Sequence, residues 1–268
     1  MKLRLYGPNI IPTNPGFELG TTTGWPLAVT SSAQATLGVS TASPYAGNYS
    51  GLTNTTSAGS ALGDIQLYRS YLNLPLGVLA AVQFAGKADA ERQLTVAYML
   101  GLTPWTSYLY TVCSLGTDWQ LFDYNFTLVT DVTTGRITFY AGSGTAAVDF
   151  NLDDINLRNY IELPVTYAYE RAEVLTRHDA RGAAGALQTY IEPNAYGRFT
   201  LPLVHVNSAE RSLINSWWAT GSVLRLVEDA TYPHSWRAVR ITGAEEPLTK
   251  FTRPYNNEYE GELVLETV

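Results

Sequence analysis

From residue 30 onward the chain sets apolar residues against polar ones in short runs, broken every ten or so positions by turn residues, as in an antiparallel β-sandwich or barrel. Candidate strands fall at 33–40, 61–72, 80–87, 93–102, 108–114 and 137–141. Turn signals punctuate them: Ser43-Pro44, Ala46-Gly47-Asn48, Ser57-Ala58-Gly59 and Pro75-Leu76-Gly77. No stretch here has the length or the 3.6-residue period of an amphipathic helix, so about seven to ten short strands are expected. The run Phe150-Asn151-Leu152-Asp153-Asp154-Ile155-Asn156-Leu157 closes this half.

Beyond Tyr160 the pattern changes. Charge density rises, and Ile161-Glu162-Leu163-Pro164 joins the halves without a flexible Gly/Ser linker. Strand patterns at 170–177 and 185–192 flank His178-Asp179-Ala180-Arg181-Gly182, which reads as the turn of a hairpin, and 197–206 is a further strand. The one convincing helix follows. Asn207 or Ser208 can cap it, Glu210 stands where a capping box needs it, and Gly221 ends it. Leu213, Ile214, Trp217 and Trp218 form one apolar stripe, so this helix must lie on a sheet. Strands at 222–228, 236–242 and 255–266 complete the half, the last alternating Tyr259, Gly261, Leu263 and Leu265 with Glu260, Glu262, Val264 and Glu266. The expected fold class is all-β with one helix, in two domains: a β-sandwich over 9–158, then an antiparallel sandwich or split barrel over 162–268 that carries the helix.

Composition supports two cores, since 18 Tyr, 8 Phe and 6 Trp accompany abundant Thr and Val in 268 residues. The net charge is −7, with 7 basic and 10 acidic side chains up to residue 160 and 10 and 14 after it. No basic tract offers itself to phosphate, so nucleic acid is not an expected partner. The single Cys113 excludes an intramolecular disulfide and reads as a small buried apolar residue. No apolar run approaches the ~20 residues of a membrane helix, and the first residues lack the apolar core of a signal peptide. Neither membrane insertion nor secretion is therefore expected.

Several pieces of the first half occur in a telling order: Asn14-Pro15-Gly16-Phe17-Glu18, Gly24-Trp25, Tyr45-Ala46-Gly47-Asn48-Tyr49-Ser50, Asp118-Trp119 with Tyr124 and Phe126, and Leu152-Asp153-Asp154-Ile155-Asn156-Leu157. In this order they resemble carbohydrate-binding modules of the family 4/9/22 type, which are jelly rolls. The resemblance implies a structural calcium held by Glu18 with Asp153 or Asp154, completed by backbone carbonyls near Gly47 and Asn48 to reach six to eight oxygens. Strand alternation sets Asp153 and Asp154 on opposite faces, so one of them is expected as the ligand. The same carboxylates can also cap turns with no metal. Sugar binding in such modules rests on aromatic rings that stack on the pyranose, which implies Trp105, Tyr108 and Tyr110, with Trp25 and Tyr68 as further candidates. Tyr108 and Tyr110 stand two apart and are expected to share a face. Trp119 and Phe126 fall at positions that resemble core.

The second half, with its hairpin, strand, helix, strand and final acidic-alternating strand, resembles the tube-forming domain of long-tailed bacteriophage tail proteins, especially the distal tail protein. Phe199-Thr200-Leu201-Pro202-Leu203, Trp217-Trp218 and Arg253-Pro254-Tyr255 carry that likeness. It implies a ring of copies, usually hexameric, in a tail tip or baseplate, with tail tube, tape measure and hub as neighbours and location in the virion. The tube-like part stands second here, the reverse of the usual order.

No catalytic constellation is expected. His178, His205 and His234 have no metal-ligand spacing, no Gly-x-Ser-x-Gly or Gly-x-x-x-x-Gly-Lys motif occurs, and adjacent strand carboxylates such as Asp153 and Asp154 point apart. The function expected is a structural tail protein whose first domain contacts host-surface polysaccharide. The alternatives are a carbohydrate-binding protein of a polysaccharide-degrading system and a decoration or scaffold protein that binds no sugar.

Overall fold

A computed structural model describes residues 3–142, 147–163, 170–174, 177–181, 187–191, 196–243, 245–248, 250–253 and 258–268. The chain forms two compact units, Asn9–Tyr160 and Met1–Pro8 with Ile161–Val268. In chain order, β1 (Leu3–Tyr6) belongs to the second of these. The Asn9–Tyr160 unit holds β2 (Leu27–Val29), β3 (Gln34–Ser40), β4 (Ser50–Ser57), β5 (Ile65–Ser70), β6 (Leu79–Ala88), β7 (Arg92–Leu100), β8 (Ser107–Leu115), β9 (Gln120–Thr127), β10 (Gly135–Tyr140) and most of β11 (Phe150–Leu163).

These strands make two antiparallel layers, one in the order β2-β5-β10-β7-β8 and the other in the order β3-β4-β11-β6-β9. Alternation decides what each strand gives the core. Ile65, Leu67, Val96, Tyr98, Ile137 and Phe139 come from the first layer, and Val82, Phe84, Phe150 and Leu152 from the second. The ring of Phe84 meets that of Phe139 edge to face at 5.1 Å, which joins the layers into one sandwich. The intervening residues of β5 and β10, Gln66, Tyr68, Arg136 and Tyr140, therefore face away from the core. Strand β4, Ser-Gly-Leu-Thr-Asn-Thr-Thr-Ser, is a finding that apolar patterning does not announce: its Ser50, Thr53 and Thr55 are buried as polar residues.

The other unit adds β12 (Glu170–Val174), β13 (Arg177–Arg181), β14 (Leu187–Ile191), β15 (Tyr196–Val206), helix α1 (Ser208–Ala219), β16 (Leu224–Val227), β17 (Trp236–Thr242), β18 (Lys250–Arg253) and β19 (Glu258–Thr267). Its sheet runs β12-β15-β19-β17-β16-β1-β11, with β18 on β19, while β13 and β14 pair with each other. His178 to Arg181 are strand rather than turn. Arg181 pairs with Leu187, and residues 182–186, Gly182 among them, lie outside the described residues. Pro254 and Tyr255 also lie outside them, and the last strand starts at Glu258.

Helix α1 has the cap the sequence expects. The Asn207 side chain accepts from the Glu210 backbone N–H at 2.9 Å, and the Glu210 carboxylate accepts from the Asn207 N–H at 3.0 Å. Gly221 follows in the left-handed region at φ +59°. Ile214 and Trp217 are buried among Leu3, Leu5, Leu224, Leu226, Leu263 and Leu265, and a Cβ on Gly7 would stand 2.7 Å from the Trp217 ring. Strand β1 is thus part of the core that α1 covers. Leu3 and Leu5 have no exposed surface, and the Arg4 guanidinium donates to Glu162 Oε1 from two nitrogens at 2.9 and 3.1 Å.

Candidate functional site

The loop Asn14 to Gly20 explains its own sequence. The Asn14 side chain donates to the Thr21 carbonyl at 2.7 Å and accepts from the Leu19 N–H at 3.1 Å, holding the loop closed. Phe17 then enters the core against Gly51, where any Cβ would collide with the Phe17 ring. Glu18, next in the chain, reaches over Gly47 and accepts from the backbone N–H groups of Asn48 and Tyr49 at 2.9 and 3.2 Å. From the other side the buried Asp153 accepts from Tyr45 N–H at 2.9 Å, Ala46 N–H at 3.0 Å and Asp154 N–H at 2.7 Å. Burial pushes the Asp153 carboxyl up to about 6, against the pull of those three N–H groups and with a lesser upward push from Glu18.

As placed, all four carboxylate oxygens of Glu18 and Asp153 accept backbone N–H groups, which takes up part of the lone-pair capacity that calcium would need. No cluster of three or more acidic, histidine or cysteine side chains forms among the described residues. Asp154 turns elsewhere: it occupies a bulge of β11 at φ +43°, and its Oδ1 accepts from the Asn156 side chain at 2.9 Å. The two carboxylates act as caps that fasten the loop at 45–49.

On the outer face of the β2-β5-β10-β7-β8 layer lies a cleft of about 600 Å³. Its lining comes from every strand of that layer and from the loop between β7 and β8: Ala28, Gln66, Tyr68, Arg136, Tyr140, Met99, Tyr110, Ser107 and Trp105. Arg136, on the central strand, holds the middle. Its guanidinium lies 3.6 Å from the Tyr68 ring centre and 5.9 Å from that of Trp105. Its Nε donates to Thr138 Oγ1 at 3.0 Å, and Nη2 to Gln66 Oε1 at 2.9 Å. Partial burial draws its pKa below the ordinary guanidinium value, with Tyr68 and Tyr140 opposing. The Tyr140 hydroxyl is raised by burial and faces the Met99 sulfur at 3.5 Å. Trp105 and Tyr110 stand at the rim, 47% and 58% exposed.

Of the aromatics the sequence singles out, the cleft gathers Trp105, Tyr110 and Tyr68. Trp25 is elsewhere. It is 2% exposed, its ring centre lies 5.8 Å from that of Phe17 and 6.4 Å from that of Phe139, and its indole N–H donates to the Asn14 carbonyl at 2.9 Å. It locks the Asn14 loop to the core and has no face to offer a ligand. Tyr108 also parts from Tyr110. Tyr98 pairs with Leu109 but Met99 pairs with Ser107, so a bulge at Tyr108 breaks the two-residue alternation. The Tyr108 ring packs 6.3 Å from that of buried Tyr98, and its hydroxyl bonds Thr130. Trp119 lies at the surface on the other layer's side of the unit, its indole N–H donating to the Ser43 carbonyl at 2.8 Å and its ring beside Tyr45, while Phe126 is core. Sequence reasoning missed Gln66, Arg136 and Tyr140. The signal was available, because all three occupy the positions of β5 and β10 that alternate with Leu67, Ile137 and Phe139.

No protein-family model matches the chain, and no curated protein matches it. Among the solved structures similar to it are carbohydrate-binding modules matching the first half. A structure titled for CBM4 structure and function is 22% identical over 55% of this chain and 98% of its own, with a TM-score of 0.47. The CBM22-1 xylan-binding domain from Paenibacillus barcinonensis Xyn10C is 16% identical over 57% of this chain and 95% of its own, with a TM-score of 0.42. The enzymatically active domain of bacteriophage CBA120 tailspike protein 4 is 11% identical over 56% of this chain and 21% of its own, with a TM-score of 0.41.

Proposed function

We propose that the Asn9–Tyr160 unit binds glycan chains in the cleft of its β2-β5-β10-β7-β8 layer. The observation that carries this reading is the placement of exposed Trp105 and Tyr110 beside hydrogen-bonding Gln66, Ser107 and Arg136. Flat rings beside fixed polar groups are what a sugar needs, one for its apolar face and the other for its hydroxyl edge. Trp105 sits at φ +56°, in the left-handed region, which costs a bulky residue about 1–2 kcal/mol. Such local strain is a feature of ligand-binding positions. The reading is of binding, not catalysis, since no carboxylate is among the residues lining the cleft. A glycan array probed with the full chain tests it. At least one polysaccharide class should bind, and Trp105→Ala and Tyr110→Ala should each weaken that binding by about tenfold, the worth of one ring stack. Retained binding in both variants refutes the cleft.

We further place the chain in a bacteriophage tail, where the unit with α1 joins copies of itself and the sandwich meets host-surface polysaccharide. This rests on the sequence resemblance of residues 162–268 to tube-forming domains and on the antiparallel sheet with one capped helix that those residues fold into. Electron microscopy of the full chain decides it: closed rings are expected, and a strictly monomeric protein at high concentration defeats this placement.

A further inference from the structure

Resting on the reading of the cleft as a glycan site, we propose that its ligand is an acidic polysaccharide, gripped through a sugar carboxylate by Arg136. The charges single this out. The chain carries a net charge of −7, yet the cleft lining contains one cation and no anion. Arg136 forms no ion pair among the described residues; its two side-chain hydrogen bonds go to neutral oxygens of Thr138 and Gln66. A guanidinium has five N–H donors, so these bonds leave Nη1 and part of Nη2 for a ligand.

Those remaining donors are held still. Tyr68 stacks beneath the guanidinium plane, and Thr138 and Gln66 fix its rotation from two sides. A planar fork fixed in this way matches a carboxylate with two parallel bonds, and charge-assisted bonds of that kind are about twice as strong as bonds to a hydroxyl. Partial burial disfavours the free cation, and an anionic sugar arriving in the cleft offsets that cost. The rings complete the match. Trp105 and Tyr110 take the apolar faces of neighbouring residues in the chain, while a uronate carboxylate in the sugar's ring plane points at the guanidinium.

The test compares matched polysaccharides on the full chain by calorimetry or affinity electrophoresis: polygalacturonate against its fully methyl-esterified form, and glucuronoxylan against its carboxyl-reduced form. In at least one pair the carboxylate form should bind about tenfold more tightly, and the ratio should shrink as salt is raised. Arg136→Gln should bring that ratio toward one. Arg136→Lys, which keeps the charge and loses the fork, should leave a reduced preference. Equal or tighter binding of the neutral partner in both pairs overturns the proposal, as does poly-glutamate displacing the glycan as well as free uronate chains do. These results leave glycan binding itself standing, whereas failure to bind any polysaccharide on an array defeats the underlying reading. If Arg136→Gln does not fold, the wild-type ratios and Arg136→Lys decide the matter.

Discussion

Phe17 can reach the core because residue 51 has no side chain, and Glu18 can fasten the neighbouring loop because residue 47 has none. Gly51→Ala should therefore cost about 1–3 kcal/mol as an overpacked core position, read as a fall in the denaturant midpoint with an unchanged slope. Asp153 adds a pH signature. Its folded value of about 6 lies above the ordinary 3.8, so the folded state keeps a proton that the unfolded chain has released. Its contribution to stability is full below about pH 4 and is lost as pH rises through about 6. Asp153→Asn should flatten that part of a melting-temperature profile. It should also lower the whole profile, because an amide nitrogen would face backbone N–H donors. Cys113 is 4% exposed, and burial pushes its thiol up to about 12. It should resist a thiol reagent near pH 8 until the chain is unfolded, and prompt labelling would show that β8 opens. At this scale part was legible: Cys113 reads as core from the sequence and is buried in the structure. The outward set of Gln66, Arg136 and Tyr140 could be read from the alternation of β5 and β10, but that it shares a cleft with Trp105 and Tyr110 and not with Trp25 could not. Which aromatics face outward depends on the layer a strand joins and on the bulge at Tyr108, and neither leaves a mark in local composition.

Elements are set by periodicity and caps, which is why α1 was readable nearly residue by residue. Asn207→Ala should destabilise the unit by about 1 kcal/mol, since it deprives the Glu210 N–H of its acceptor. Trp217→Ala, which empties the space between α1 and Gly7, should cost about 3–5 kcal/mol; calorimetry that finds the transition of this unit unmoved would contradict the packing described. Strands β6, β7 and β10 were legible within a residue or two. Strand β4 was not, because Ser50, Thr53 and Thr55 are buried by cross-strand pairing and contacts such as Ser50 Oγ with Asn151, not by their own hydrophobicity. The hairpin of β13 and β14 was readable as a hairpin, but its register was not. His178 and Asp179 look like turn residues, and only pairing with Thr189 and Tyr190 makes them strand.

For the molecule as a whole, the least legible fact is the allegiance of the first strand. Leu3-Arg4-Leu5 announces an alternating strand, but a strand of four residues does not say which sheet completes it. The structure pairs it with β16, Leu5 opposite Leu226, beyond the entire sandwich. Within the sandwich, entry and exit meet. Ile10 N–H donates to the Leu157 carbonyl at 2.8 Å, and Asn9 Oδ1 accepts from Leu157 N–H at 3.0 Å. The sandwich is thus a cassette spliced into another fold between that fold's first strand and its remainder. A short bridge across the splice, joining residue 8 to residue 161, should leave the host fold able to form. Expressing 161–268 alone should not, because it tears out an interior strand. The same joint would let one such cassette be exchanged for another while the strands of the host fold keep their partners.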